Sequence, residues 1–350
     1  MELYGKKITK KDLCARTGNI SQICDARQST LSYGKSDGVR VIDVKSGGFS
    51  FTVVPSRGMD IAWAQYNGKN VSYIGKPGVT APEYFEKDGL NFFRGFFAGL
   101  VTTCGLTYLG AACIDGGEAL GVHGRISNIP AYDVGVIKEW EGDDFVIHIR
   151  GKVAESMAFF ENIVLTREIK TKLGENCLHI HDSIENCGDA DTPLMVLYHC
   201  NFGYPIVSED TVLLESQKVV VHPRDEEAKK GEGSYMRFEA PTHGYQEQVF
   251  FHDFSNVDGQ KGSVCLFNER LDLGAYIQFN KDQFSNFAQW KMMGVNEYAV
   301  GLEPANCTTD GRDKARERGE LPMIAPGEIK EFNFTIGVAD GRNAALKIIE

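Results

Sequence analysis

The sequence predicts an all-β protein, one large antiparallel β-sandwich with few short helices, and three observations carry that prediction. Segments that alternate apolar and polar residues recur along most of the chain. Turn signals rich in Gly, Asn and Asp separate them at intervals of roughly 8 to 12 residues, the rhythm of a sandwich. Segments with helical periodicity are scarce. At 350 residues the chain can bury a sizeable core, and all-β units of this size commonly form a single domain. No fixed-period repeat, low-complexity linker or Pro-rich hinge divides it, so 1–350 reads as one domain with 1–36 as a lead-in segment.

Taken in order, the lead-in is mixed and polar, with a helical candidate at Lys10–Thr17 and an edge strand beyond it. From Val39 the run V-R-V-I-D-V-K-S-G-G-F-S-F-T-V-V-P alternates across a Ser-Gly-Gly turn, a hairpin signature, and a second hairpin turn follows at Asn67-Gly68. The stretch Asn91–Gly110 is apolar but interrupted by glycines too often for a regular helix; glycine at that density marks turns and close backbone approach. Strands are then expected at Val134–Trp140, Phe145–Val153, Asn162–Leu173, Cys177–Asn186 and Met195–Tyr198. Later ones are expected at Thr211–Val221, Gln246–Phe251, Gly262–Asn268, Gly274–Phe279, Tyr298–Leu302 and Glu331–Val338. The basic run Arg312–Arg318 alternates with acids and reads as a solvated loop or short helix.

Composition narrows the function. Hydrophobic residues make up 42% and charged residues 24%, which is globular, and a net charge of −11 opposes polyphosphate partners. No nucleic-acid partner is expected. Nine cysteines with no C-x-x-C pair, several in apolar contexts, point to reduced buried thiols in a cytoplasmic protein. There is no signal-like apolar region after the first charges and no run of about 18 apolar residues, so no membrane association is expected. A homodimer is carried as the candidate assembly.

Four polar groups stand where apolar strands end or glycines turn the chain: Arg57; His123 with Arg125 and Asn128; His199 with Asn201 in V-L-Y-H-C-N-F-G-Y-P; and Glu303 with Asn306 in L-E-P-A-N. A carboxylate directly after an apolar run is unfavourable unless it is paired or used. Read locally, a solvent-facing strand-end Glu303 and a core His199 bonded to backbone fit as well as a site. Trp290 and Lys291 in N-F-A-Q-W-K offer a ring to stack on a sugar and a cation.

The ordered set of motifs resembles the aldose 1-epimerase, or galactose mutarotase-like, superfamily, with its DUF4432 branch most similar. The residues that carry the resemblance are Pro55-Ser56-Arg57-Gly58-Met59-Asp60-Ile61, Thr102-Thr103-Cys104-Gly105-Leu106, His123-Gly124-Arg125-Ile126-Ser127-Asn128, the Y-H-C-N-F-G stretch around His199, and Glu303-Pro304-Ala305-Asn306. The resemblance implies a galactose mutarotase-like supersandwich and a sugar substrate. It also implies His199 as the acid on the ring oxygen, Glu303 as the base on the anomeric hydroxyl, and His123 as a sugar-holding residue. Arg57, Arg125, Asn201, Trp290, Lys291 and Asn306 are the further substrate-binding candidates. The chain departs from the mutarotase pattern in its C-N-F-G and in Arg125 after His-Gly.

Ring opening of a hemiacetal needs one proton delivered and one removed, so an acid and a base suffice and no cofactor is expected. With solution pKa values near 6.5 for His and 4.3 for Glu, a charged His199/Glu303 pair fits neutral pH, the two facing each other across about a sugar's width. Several cations around one pocket would favour an anionic sugar. His179 and His181, two apart on one strand, offer half a metal site, but no further ligand follows at recognisable spacing, and no metal is expected. The alternatives to an epimerase are a carbohydrate-binding protein without turnover and a sugar isomerase with a different proton-transfer step.

Overall fold

The computed structural model describes all 350 residues and is 48% strand and 13% helix, which establishes the all-β class. Its largest sheet has eight antiparallel strands in the order Tyr132–Glu141, Asp144–Ser156, Asn162–Lys172, Cys177–Asn186, Ile329–Asp340, Leu273–Asn280, Lys261–Asn268, Thr211–Glu215. A six-stranded sheet runs Val220–Pro223, Gln248–Asp253, Asn286–Gly294, Glu297–Ala305, Met195–Gly203, Thr102–Leu106. A five-stranded sheet is a meander from Cys24–Thr30 to Lys69–Asn70. Bridges Ile61↔Val101 and Ser72↔Phe202 stitch the five-stranded sheet to the six-stranded one. The main core gathers inward residues of all three sheets, among them Val44 and Phe51, Ile149 and Ile169, Val300 and Leu302.

The strands form where alternation demands them. Asn162–Lys172 alternates strictly between buried and half-buried positions, so one side of the strand packs on the core. Both expected hairpin turns are present: Ser46 pairs with Phe49 across Gly47-Gly48, and Tyr66 pairs with Lys69 across Asn67-Gly68, with Asn67 and Gly68 at φ 47° and 77°. No helix is long and apolar enough to cross a membrane.

Several expectations change. Thr211–Val221 is two strands in different sheets, because the chain turns at Ser216–Val219. Asn286–Gly294 is a strand that mixed polarity concealed, and a helix at Arg342–Ile349 closes the chain against the eight-stranded sheet. Arg312 is not solvated: it is buried on a short helix and bonds Asp115 Oδ2 at 2.6 Å and the Thr107 carbonyl at 3.2 Å. Most consequentially, strand Met195–Gly203 runs through the polar residues instead of stopping before them.

At the centre of the sandwich lies a buried charge network. Arg167 donates to Asp182 at 2.8 and 2.6 Å, to Asp60 Oδ1 at 3.2 Å and to Thr103 Oγ1 at 2.8 Å. Tyr198 donates to Asp182 at 2.6 Å, and Asp60 accepts from the Thr103 backbone and hydroxyl at 3.0 and 2.7 Å. Burial opposes the charge on Arg167, and the carboxylates of Asp182 and Asp60 more than reverse that, raising its pKa. This network ties the eight-stranded sheet to the strand bearing His199. It also accounts for the Asp60 and Thr103 motifs as interior structure.

Candidate active site

Successive residues on a strand face opposite ways. On Met195–Gly203, Tyr198 and Cys200 therefore point to the core, while His199 and Asn201 point to the other face of the six-stranded sheet. Strand Glu297–Ala305 pairs with it from Leu197↔Ala305 to Gly203↔Ala299. Pro304 lacks an N–H, and the ladder is interrupted over Tyr198/Pro304 and His199/Glu303. The constant register still sets His199 opposite Glu303. Their side chains meet at 3.1 Å, His199 Nε2 to Glu303 Oε1, and both residues are buried.

A third residue arrives from a turn. Gly105 and Gly124 bridge so closely that a Cβ on Gly124 would lie 2.1 Å from the Gly105 carbonyl oxygen. That contact clamps His123-Gly124 onto strand Thr102–Leu106, with His123 at φ 58°. It brings the His123 ring to 5.9 Å from the His199 ring. Phe96 at 5.3 Å and Trp290 at 5.5 Å complete a half-buried collar around His199. Trp290 donates to Glu247 at 2.8 Å, and Arg224 holds the other Glu247 oxygen at 3.0 Å.

Polar satisfaction singles this face out. Five buried side-chain polar atoms have no hydrogen-bond partner in the protein: Asp60 Oδ2, and Nδ1 of His123, Nδ1 of His199, Oδ1 of Asn201 and Oε1 of Glu303. Four of the five thus belong to one cluster, and the His199–Glu303 contact itself is not aligned as a hydrogen bond. Buried polar atoms are almost always paired, so such a concentration marks groups kept for something that binds.

Burial also decides protonation. It drives the His199 pKa down to about 3, helped by His123, and the Glu303 pKa up to about 8, helped by Glu247 and opposed by Arg224. His123 falls to about 4, again by burial. The expected charged pair at neutral pH gives way to a neutral imidazole beside a protonated carboxyl, because both groups have left water. The expected separation of a sugar's width is likewise replaced by direct contact.

Four expected binders are placed elsewhere. Lys291 faces the opposite side of the sheet, where Nζ bonds Glu239 at 3.0 Å under the Phe238 ring. The Arg57 guanidinium is buried and donates to the carbonyls of Ser127, Thr80 and Gly95, so it ties loops together. Asn306 uses its amide on Val196 N and Leu194 O. Arg125 turns away from His123 toward Glu118, Glu155 and Glu161 at 3.8, 3.9 and 4.0 Å. Asn201 and Trp290 do share the face. Phe96, Glu247 and Arg224 were missed, since they lie in connecting segments that only the tertiary fold brings beside His199.

A concavity of about 810 Å³ lies elsewhere, over the solvent face of the five-stranded sheet with Asp43, Trp63 and Gln65. It holds none of the unpartnered atoms, and the His199 face is the better candidate on chemistry.

A model of the family described as "Domain of unknown function (DUF4432)" matches residues 36–338. The chain belongs to the DUF4432 family. No curated protein matches it by sequence. This DUF4432 protein is similar in structure to a Klebsiella pneumoniae protein provisionally described as an aldose 1-epimerase, at 25% identity and TM-score 0.87, covering 93% of this chain and 85% of that one. It shares the fold of a galactose mutarotase-like protein from Clostridium acetobutylicum (13% identity, TM-score 0.61, 91% and 99% covered). It also shares that of a galactose 1-epimerase from Lactobacillus acidophilus (13%, 0.57, 91% and 100%).

Gly301 tests the packing of the pair. A Cβ there would lie 2.4 Å from Glu303 Oε1 and 3.2 Å from His199 Cε1. Gly301→Ala is expected to keep the fold, because the carboxylate can swing aside, but to separate Glu303 from His199. Circular dichroism and melting should change little while any catalysis by the pair falls at least tenfold; equal losses of both would contradict this.

Proposed function

We propose that this protein is an aldose 1-epimerase-type isomerase that interconverts the anomers of a neutral aldose, with His199 and Glu303 as its proton-transfer pair. The observation that carries the reading is the cluster of unpartnered polar atoms on His123, His199, Asn201 and Glu303, two of which meet at 3.1 Å. The similarity to proteins described as aldose and galactose 1-epimerases supports it.

Direct contact suits the chemistry better than a wide gap. The ring oxygen and the anomeric hydroxyl are bonded to the same carbon, so the groups serving them must be neighbours. Starting from the neutral pair, Glu303 gives its proton to the ring oxygen as His199 takes one from the anomeric hydroxyl. The ring C–O bond breaks, the carbonyl forms, and the pair is left as imidazolium and carboxylate. Rotation about the bond from C1 to C2 followed by the reverse transfers closes the ring on the other face. The same pair in its charged form runs the step with the roles exchanged, so one shared proton serves either sequence. Trp290 and Phe96 would stack on the sugar, and His123 and Asn201 would hydrogen-bond its hydroxyls.

A neutral substrate is favoured over an anionic one because Arg57 and Lys291 are hydrogen-bonded within the protein and Arg125 lies among the carboxylates of Glu118, Glu155 and Glu161. The test is anomer exchange by NMR across neutral aldoses and their 6-phosphates. Exchange well above the buffer rate is expected for a neutral aldose, falling as pH rises past about 8, where Glu303 gives up the shared proton. Buffer-level exchange for every sugar would overturn the function and leave a binding protein; a flat profile through pH 9.5 would overturn the protonation scheme.

A further inference from the structure

A second polar cluster lies on the eight-stranded sheet, on a different sheet from His199. Strand Cys177–Asn186 opens with Cys177 and His179, two apart and on one face, directly after Glu175 in the turn before it. The Cys177 Sγ stands 3.7 Å from His179 Nε2, and Glu175 Oε2 stands 3.5 Å from that same nitrogen. All three donor atoms lie within 4.8 Å of one another. A tetrahedral zinc site with Zn–S near 2.3 Å and Zn–N and Zn–O near 2.0 Å has edges of roughly 3.6 Å for S to N and 3.3 Å for N to O. The S-to-N and N-to-O spacings of 3.7 and 3.5 Å lie close to these edges.

The surroundings orient each donor. His179 Nδ1 is held by Thr335 Oγ1 at 2.9 Å on the adjacent strand, the kind of outer hydrogen bond that fixes a ligating imidazole and turns Nε2 to the metal. Lys172 Nζ takes the other oxygen of Glu175 at 2.6 Å, leaving Oε2 for the cluster. Gly337 sits between Cys177 and Tyr276 in register, and a Cβ there would lie 2.5 Å from Cys177 Cβ and 2.6 Å from the Tyr276 hydroxyl. Glycine lets the Cys177 side chain and the Tyr276 ring pack across this strand. Three electron-pair donors within 4.8 Å of one another can close round a cation, which would take the place of the protons they now share.

We propose that Glu175, Cys177 and His179 form a zinc site, with water completing a tetrahedron, which pins the Gly174–Asn176 turn to the start of the strand. His181 is no part of it: its ring turns to Glu331 at 3.7 Å. On binding, the Cys177 thiol gives its proton to solvent and the metal takes the thiolate; no redox change is involved.

The test uses the full chain, reduced and freed of metal, titrated with Zn²⁺ by calorimetry and with Co²⁺ by absorption. One Zn²⁺ per chain, a thiolate-to-Co²⁺ charge-transfer band and tetrahedral d–d bands are expected. Cys177→Ser should abolish the charge-transfer band, and His179→Gln should weaken binding at least tenfold. Thr335→Val, which removes only the outer hydrogen bond, should weaken it about 10- to 100-fold. His181→Gln should bind as the parent does. No stoichiometric zinc in the parent, or binding that survives both Cys177→Ser and His179→Gln, would overturn the site.

Discussion

Replacing Glu303 with glutamine is expected to slow catalysed anomer equilibration by about 10²- to 10⁴-fold, the usual contribution of a positioned acid–base group. Glutamine keeps the shape but can neither give nor take the shared proton. His199→Asn should produce a loss of similar size, and the double variant little more, because the two groups act as a unit. Stability should move the other way in Glu303→Gln. The folded carboxyl holds its proton up to about pH 8, against an ordinary value of 4.5. Between those limits the unfolded chain has released a proton that the folded chain keeps. Wild-type stability from this group is therefore full below pH 4.5 and declines by up to about 1.4 kcal/mol per pH unit as pH rises toward 8. Glutamine carries no such penalty, so melting temperatures of variant and parent should converge near pH 5 and separate in favour of the variant by pH 8. Unchanged exchange rates in both single variants would remove the pair from the mechanism.

Arg167→Met is expected to destabilise the fold by about 3–5 kcal/mol, the range for removing one side of a buried ion pair. Arg167 is fully enclosed, and it is the cation that faces Asp182 and Asp60 in the centre of the sandwich. Methionine fills most of the volume but leaves both carboxylates without a counter-charge, and an uncompensated buried carboxylate is relieved by taking up a proton. The deficit measured by urea unfolding should therefore shrink as pH falls from 8 to 5. A deficit below about 1 kcal/mol at pH 8, or one independent of pH, would mean that the network contributes little. Because Tyr198 bonds Asp182 and adjoins His199, the variant should also lose turnover.

Much of the fold was legible locally. Strict alternation in Asn162–Lys172 and the Ser-Gly-Gly and Asn-Gly turns announce themselves within a few residues, because strand faces and turn torsions are short-range matters. Asn286–Gly294 was not legible: it is a central strand whose two faces meet different surroundings, with Trp290 on the site side and Lys291 on the other. The site divides in the same way. His199, Glu303 and His123 could be named from their motifs, and Asn201 and Trp290 share their face. Arg57, Lys291 and Asn306 looked equally suitable, and which polar side chain finds a partner inside the protein depends on contacts up to about a hundred residues away, such as Arg57 to Ser127 and Asn306 to Val196.

By itself, then, the chain's order of residues determined an antiparallel all-β class and most strand positions, since each follows from local periodicity, while the His–Glu pairing of chemistry came from the resemblance to the mutarotase-like superfamily. Only the tertiary structure decided that His199 and Glu303 touch, that both are neutral at pH 7, and that the neighbouring cations are committed elsewhere. The reason is physical: register across two strands sets contact, and removal from water sets charge. Neither quantity is a property of any short stretch of sequence.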